Sequence, residues 1–190
     1  MTNLLDTITD AFDPNGGLVI ANNSFLPTPT KSQSDAISFS IASAQTITSI
    51  EAFIASPSGP GSVNLGIMAS VGGLPSGTFL DISTASLVFH QPVTISNLSW
   101  TLAAGSYWLV ATTSVNGGFA FWNHGSIGSP YAVSTSATGA DSWILSTDVG
   151  LPEARIEGVA VTPRPGSTKM FVSGLAELAV GFGWRKKRKL

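Results

Sequence analysis

The sequence predicts an all-β fold: an antiparallel β-sandwich or jelly roll of about ten short strands, with an apolar helix appended at the C-terminus. Three observations carry this. Apolar and polar residues alternate in short runs, as in Ala36-Ile-Ser-Phe-Ser-Ile41, the period-2 sign of a strand with one buried face. Clusters of Gly, Pro, Asn and Asp separate the runs at intervals of roughly 8–12 residues. The chain of 190 residues is 43% hydrophobic but only 11% charged, against about a quarter charged for an ordinary soluble domain. Ser, Thr, Ala and Gly fill the gap, which is the composition of strands and turns.

The elements follow in order. Residues 1–17 read as a lead-in segment that ends in the turn Asp13-Pro-Asn-Gly-Gly17. Leu18–Ala21 is a short apolar run, and Pro27 and Pro29 mark the next stretch as loop or edge. Strands are expected at 36–41 and at 46–55, the second with a local irregularity in its alternation, before the turn cluster Ser56-Pro-Ser-Gly-Pro-Gly61. Val63–Ser70 follows, then short candidates at 79–82 and 87–90, then Val93–Trp100. Tyr107–Thr112 is continuously apolar until its last residue, as a central strand would be, and Asn116-Gly-Gly118 is a hairpin signal leading to Phe119–Trp122. A Gly- and Ser-rich loop is expected over 123–141, and strands at 143–146 and 154–162 close a sandwich domain spanning 18–162.

Charge divides the chain. Before Pro163 there are two basic residues, Lys31 and Arg155, against ten acidic ones, a charge of −8; from Pro163 onward there are seven basic residues and Glu177, a charge of +6. An acidic body repels phosphate backbones, so nucleic acid is excluded as its partner. With no cysteine, disulfides, thiolate metal sites and cysteine nucleophiles are excluded together.

Residues 163–169 form a Pro-rich linker and residues 170–190 an apolar helix with a basic end. The apolar stretch Met170–Trp184 would span roughly 22 Å as a helix, short of a hydrocarbon core of about 30 Å. Glu177 near its centre would cost on the order of 2.5–3.5 kcal/mol on insertion. Arg185, Lys186, Lys187, Arg188 and Lys189 form a membrane stop that would hold this end on the cytoplasmic face. The arrangement resembles the C-terminal sorting signal of bacterial PEP-CTERM proteins, with Pro163, Arg164 and Pro165 where that family has Pro-Glu-Pro. The resemblance implies an exosortase-type sorting enzyme and the inner membrane as partners, with the processed protein in the envelope or secreted. The central Arg reverses the charge of the motif. The first ten residues carry no basic n-region and no apolar h-region, so export implies a leader upstream of Met1.

The body also resembles a family. Val63-Asn-Leu-Gly-Ile67, Leu74-Pro-Ser-Gly-Thr78, Trp100-Thr-Leu-Ala-Ala-Gly-Ser-Tyr-Trp-Leu109 and Phe121-Trp122, in that order and spacing, are similar to the choice-of-anchor R domain. That is a bacterial surface domain found with alternative C-terminal anchors. It implies a cell-surface location and brings no activity with it.

Catalytic patterns are weak. A hydrolase of unknown substrate needs a nucleophile beside a base, yet the chain has only His90 and His124 and no Gly-x-Ser-x-Gly elbow. Those two His with Asp81 or Asp141 lack metal-ligand spacing, and Asp13-Pro-Asn-Gly16 lacks the later acid of a calcium loop. Glu51, Asp141, Glu153 and Glu157 are the carboxylates a glycosidase pair would draw on. No cofactor is expected. The chemistry-bearing group is aromatic: Tyr107, Trp108, Phe119, Phe121, Trp122 and Trp143. Within it Trp122, Asn123, His124 and Trp143 are the candidate ligand-binding residues, with polysaccharide as the partner. The competing expectation is that these rings fill the space between sheets.

Overall fold

The computed structural model describes residues 1–9, 11, 13, 17–21, 33–56, 61–89, 91–113, 119–125, 128, 130–135, 140, 142–147 and 150–162. The Pro163–Pro165 motif, the apolar helix and the basic run at 185–189 lie outside the described residues, as do His90 and Asp141.

Among the described residues the chain is all β, and every pairing is antiparallel. In chain order the strands are β1 (Thr2–Asp6), β2 (Leu18–Ala21), β3 (Ser34–Ile41), β4 (Gln45–Ala52), β5 (Ile54–Ala55), β6 (Gly61–Val71) and β7 (Leu74–Leu87), followed by β8 (Val93–Leu102), β9 (Gly105–Thr113), β10 (Phe119–Trp122), β11 (Tyr131–Ser134), β12 (Trp143–Ser146) and β13 (Ala154–Ala160). They form a four-stranded sheet in the order β1-β13-β4-β8, a three-stranded sheet β2-β10-β5 and a six-stranded sheet β12-β11-β3-β9-β6-β7.

All three sheets feed one core. Ile47, Ile50 and Ile156 from the four-stranded sheet meet Ile37, Leu65 and Leu109 from the six-stranded sheet and Ile20, Ile54 and Trp122 from the three-stranded sheet. Alternation along β3 shows how the sequence does this: Ile37, Phe39 and Ile41 are buried in that core, while Ser38 and Ser40 stay exposed. A second, smaller cluster lies on the opposite face of the six-stranded sheet, where Trp108, Met68, Val110 and Trp143 pack with Leu74 and Phe79. Gly66 makes that face possible. A Cβ there would lie 2.5 Å from Phe79 Cδ1, so only glycine lets the Phe79 ring rest on β6. The sheet curls enough to bring its two edge strands together, with Gly77 of β7 against the Ala140 carbonyl beside β12.

Several elements differ from expectation. The lead-in contains a strand: β1 pairs with β13 from Thr2↔Gly158 to Asp6↔Arg155, so the terminal segment completes the four-stranded sheet. The expected strand at 46–55 divides at Phe53, with β4 in the four-stranded sheet and β5 in the three-stranded one. Its irregularity is a bulge between Ile47 and Ser49 in the β4–β8 ladder. The short candidate at 79–82 is part of one 14-residue strand, β7, which ends at Leu87, so the candidate at 87–90 contributes only its first residue to a strand. It is an edge strand whose exposed positions mix Ser76, Thr78, Thr84 and Ser86 with Leu80 and Ile82, which hides its continuity from hydrophobic patterning. Tyr131–Ser134 is a strand inside the stretch expected to be loop, inserted between β3 and β12.

Trp122 is fully buried, and its indole Nε1 donates to the Glu153 carbonyl at 2.9 Å. Trp122→Ala is expected to lower the unfolding free energy by about 3–5 kcal/mol, measured as a lower urea midpoint at unchanged m-value.

Candidate functional site

The sequence-derived binding residues do not assemble into one exposed platform. Trp122 is 0% exposed in the main core, and Trp143 is 6% exposed in the second cluster on the far side of the six-stranded sheet. Asn123 is buried, with Oδ1 lacking a hydrogen-bond partner among the described residues, while His124 is exposed and forms an isolated bridge with Pro152. The physical reason is period-2 geometry. Trp122 and Ala120 face inward on β10, leaving Phe119 and Phe121 half-buried on its other side, where their rings meet edge to face with centroids 4.9 Å apart. Of the remaining aromatics, Tyr107 joins the main core and Trp108 the second cluster.

Around Trp122 the chain forms a tight junction. Phe53 N donates to Glu153 O at 3.0 Å, Glu153 N to Asn123 O at 2.8 Å, and Asn123 N to Phe53 O at 2.9 Å. These three bonds close a ring through the break between β4 and β5, the end of β10 and the start of β13. The buried Glu153 side chain extends the junction by accepting the Thr9 amide on Oε1 at 2.8 Å. This is the use of the Trp122–Asn123 pair in the fold: it joins sheets.

The two broad faces differ in chemistry. The outer face of the four-stranded sheet is charged. Asp6, Arg155, Glu51 and Thr94 stand in register as one row. Arg155 holds Asp6 through Nε at 3.1 Å and Glu51 through a terminal nitrogen at 3.3 Å, and the hydrogen bond it donates to Asp6 raises its guanidinium pKa above the ordinary value. Glu157 accepts the Ser49 hydroxyl at 3.1 Å. A groove of about 300 Å³ runs over these groups, with Thr94 and Ser96 on its wall. Glu51 and Glu157 thus share a site, whereas Glu153 lies inside the junction. Among the described residues no group of three His, Cys, Asp or Glu is arranged to hold a metal ion.

Among the described residues, none that lines the two clefts of the six-stranded sheet is charged. The β6–β7 hairpin turns at Gly72 and Gly73, whose φ angles of 60° and 83° are the left-handed pair of a type I′ turn. One cleft of about 250 Å³ lies beside it, walled by Ser38, Ser40, Ser106, Pro130 and Leu145, with Trp108 lining it. Another of about 320 Å³ runs from Val71 and Leu74 to Ser142 and Trp143. Trp108 Nε1 donates to Ser70 Oγ at 3.2 Å, and the Ser40 and Ser106 hydroxyls are 3.0 Å apart. These clefts had no local signature in the sequence, because their serines come from β3, β6, β7, β9 and the residue before β12 and stand together only once register is set.

Protein-family models, curated proteins and solved structures all return no match to this chain.

One buried carboxyl titrates unusually. Asp35 is fully buried on the side of β3 that carries Ile37, opposite Ala111 of β9 and Val133 of β11. Gln33 Nε2 donates to its Oδ1 at 3.2 Å, and Oδ2 has no partner among the described residues. Desolvation by burial raises its pKa from 3.8 to about 8, against a smaller lowering by the Gln33 bond. From about pH 4 the unfolded chain ionises this group while the folded chain keeps it protonated. The folded state therefore binds the extra proton, and the group's contribution to stability falls as pH rises, levelling above about pH 8. Asp35→Asn should abolish this slope. Urea unfolding of both proteins at pH 5 and pH 8 is expected to show the variant gaining on the parent by several kcal/mol at the higher pH; a pH-independent difference would show that Asp35 is ionised in the fold.

Proposed function

We propose that this chain is a non-catalytic protein of the bacterial envelope or extracellular matrix, delivered by its C-terminal segment and working through binding by its β body. The observation that carries the reading is the division at residue 163, where an acidic body with only Lys31 and Arg155 as basic residues gives way to Pro163-Arg164-Pro165, the apolar stretch and Arg185–Lys189. That order of linker, apolar stretch and basic stop resembles an exosortase-type sorting signal, and the motifs of the body resemble a surface domain that occurs with such signals. The body's carboxylates support a structural use for its acids: Glu51 pairs with Arg155, Glu157 accepts from Ser49, and Glu153 holds the Thr9 amide. A second reading, a carbohydrate-binding module, is favoured by the two uncharged clefts beside the Gly72–Gly73 hairpin.

The sorting reading is tested by expressing the chain behind an added Sec leader in a host that carries an exosortase, then fractionating the cells. The full chain is expected in the membrane fraction with a processed form accumulating, and residues 1–162 alone in the soluble extracytoplasmic fraction. Arg164→Glu, which restores Pro-Glu-Pro, is expected to raise the processed fraction several-fold. Tail-intact protein recovered only from soluble fractions would overturn the reading.

A further inference from the structure

We propose that the two clefts flanking the Gly72–Gly73 hairpin form one binding surface for a neutral polysaccharide chain. The inference rests on the carbohydrate-binding reading above and assigns it a place and a ligand class.

The lining carries the argument. The first cleft presents the Ser38, Ser40, Ser70 and Ser106 hydroxyls against Leu145 and Pro130. The second presents Ser76 and Ser142 against Val71 and Leu74. A hydroxyl donates one hydrogen bond and accepts others, the same inventory as each sugar hydroxyl it would meet. Aliphatic walls suit the C–H faces of a pyranose ring, and Trp108 and Trp143 stiffen the floor beneath. None of the described residues lining either cleft is charged. Among the described residues, Asp6, Glu51, Arg155 and Glu157 are instead gathered on the outer face of the four-stranded sheet.

Charge then selects the ligand. A uronic acid or sulfated chain would bring repeated negative charge to a body whose sequence carries −8 before Pro163, and no described cation lines either cleft to offset that repulsion. A neutral chain meets no such barrier. The clefts meet at one hairpin, where Ser70 and Gly73 line the first and Val71 and Leu74 the second, and each is at the small end for a ligand pocket. Two such subsites fit successive units of a polymer better than one isolated sugar.

The test uses the full-length chain on a panel of immobilised polysaccharides: β-glucan, xylan, galactomannan and starch as neutral probes, alginate and polygalacturonate as acidic ones. Binding to at least one neutral probe is expected. Leu145 and Val71 are 50% and 65% exposed, so Leu145→Arg and Val71→Asp place a charge in each cleft without disturbing the core. Each is expected to weaken binding at least tenfold with an unchanged circular dichroism spectrum and unfolding midpoint. Arg155→Gln, on the other sheet, is expected to bind like the parent. Neutral-probe binding that survives both cleft variants and is lost in Arg155→Gln would overturn this placement while leaving the carbohydrate reading intact. Binding confined to the acidic probes would overturn the ligand class. Binding to none of the six probes would overturn both the inference and the reading beneath it.

Discussion

The ring of backbone bonds through Phe53, Asn123 and Glu153 is the constraint on which the rest of this structure depends. A small sheet such as β2-β10-β5 has little buried area of its own and must be tied to its neighbours. The ring does this where β4 hands over to β5, so one continuous stretch of chain serves two sheets. Trp122 closes the junction from within: its ring fills the main core and its Nε1 adds a second donor to the Glu153 carbonyl already bonded by Phe53 N. Backbone polar groups buried at such a corner would each cost roughly 1–3 kcal/mol if left unpaired, so closing the ring and filling the space around it are one problem with one solution.

The junction also sets the charged face of the body. It fixes the start of β13, and β13 carries Arg155 and Glu157 outward in register with Glu51 and Ser49 of β4. The Thr9 amide on Glu153 and the Thr7 hydroxyl on the Pro152 carbonyl at 2.7 Å anchor the segment after β1, which brings Asp6 to the same row. The charged face therefore follows from the junction. On the other sheet, Gly66 admits the Phe79 ring and Gly72–Gly73 turn the hairpin beside which serines and two tryptophans gather. Among the described residues, one face gathers charge and the clefts of the other gather hydroxyls and rings.

The sequence carried the fold class clearly, because alternation and turn chemistry are local. Ile37, Phe39 and Ile41 announce their inward face from three alternate positions, and Tyr107–Thr112 announces a strand covered on both faces. What escaped was set by partners. β1 is a strand because β13 offers it a ladder, and β11 because it lies between β3 and β12. The aromatics were legible as a group but not as a site. A Trp on a strand is equally consistent with either face, and only register shows that Trp122 belongs to the sheet junction and Trp143 to a cleft. The serine walls gave no signal at all, since hydroxyl residues on the outward positions of a strand look alike wherever the strand lies.

The central claim is that the Phe53–Asn123–Glu153 ring opens only when the whole body unfolds. Native-state amide hydrogen exchange tests it most directly. The amides of Phe53, Asn123 and Glu153 are expected to exchange with the same opening free energy as Leu109 in the middle of β9. Exchange of those three through a low-energy local opening, while Leu109 remains protected, would contradict it.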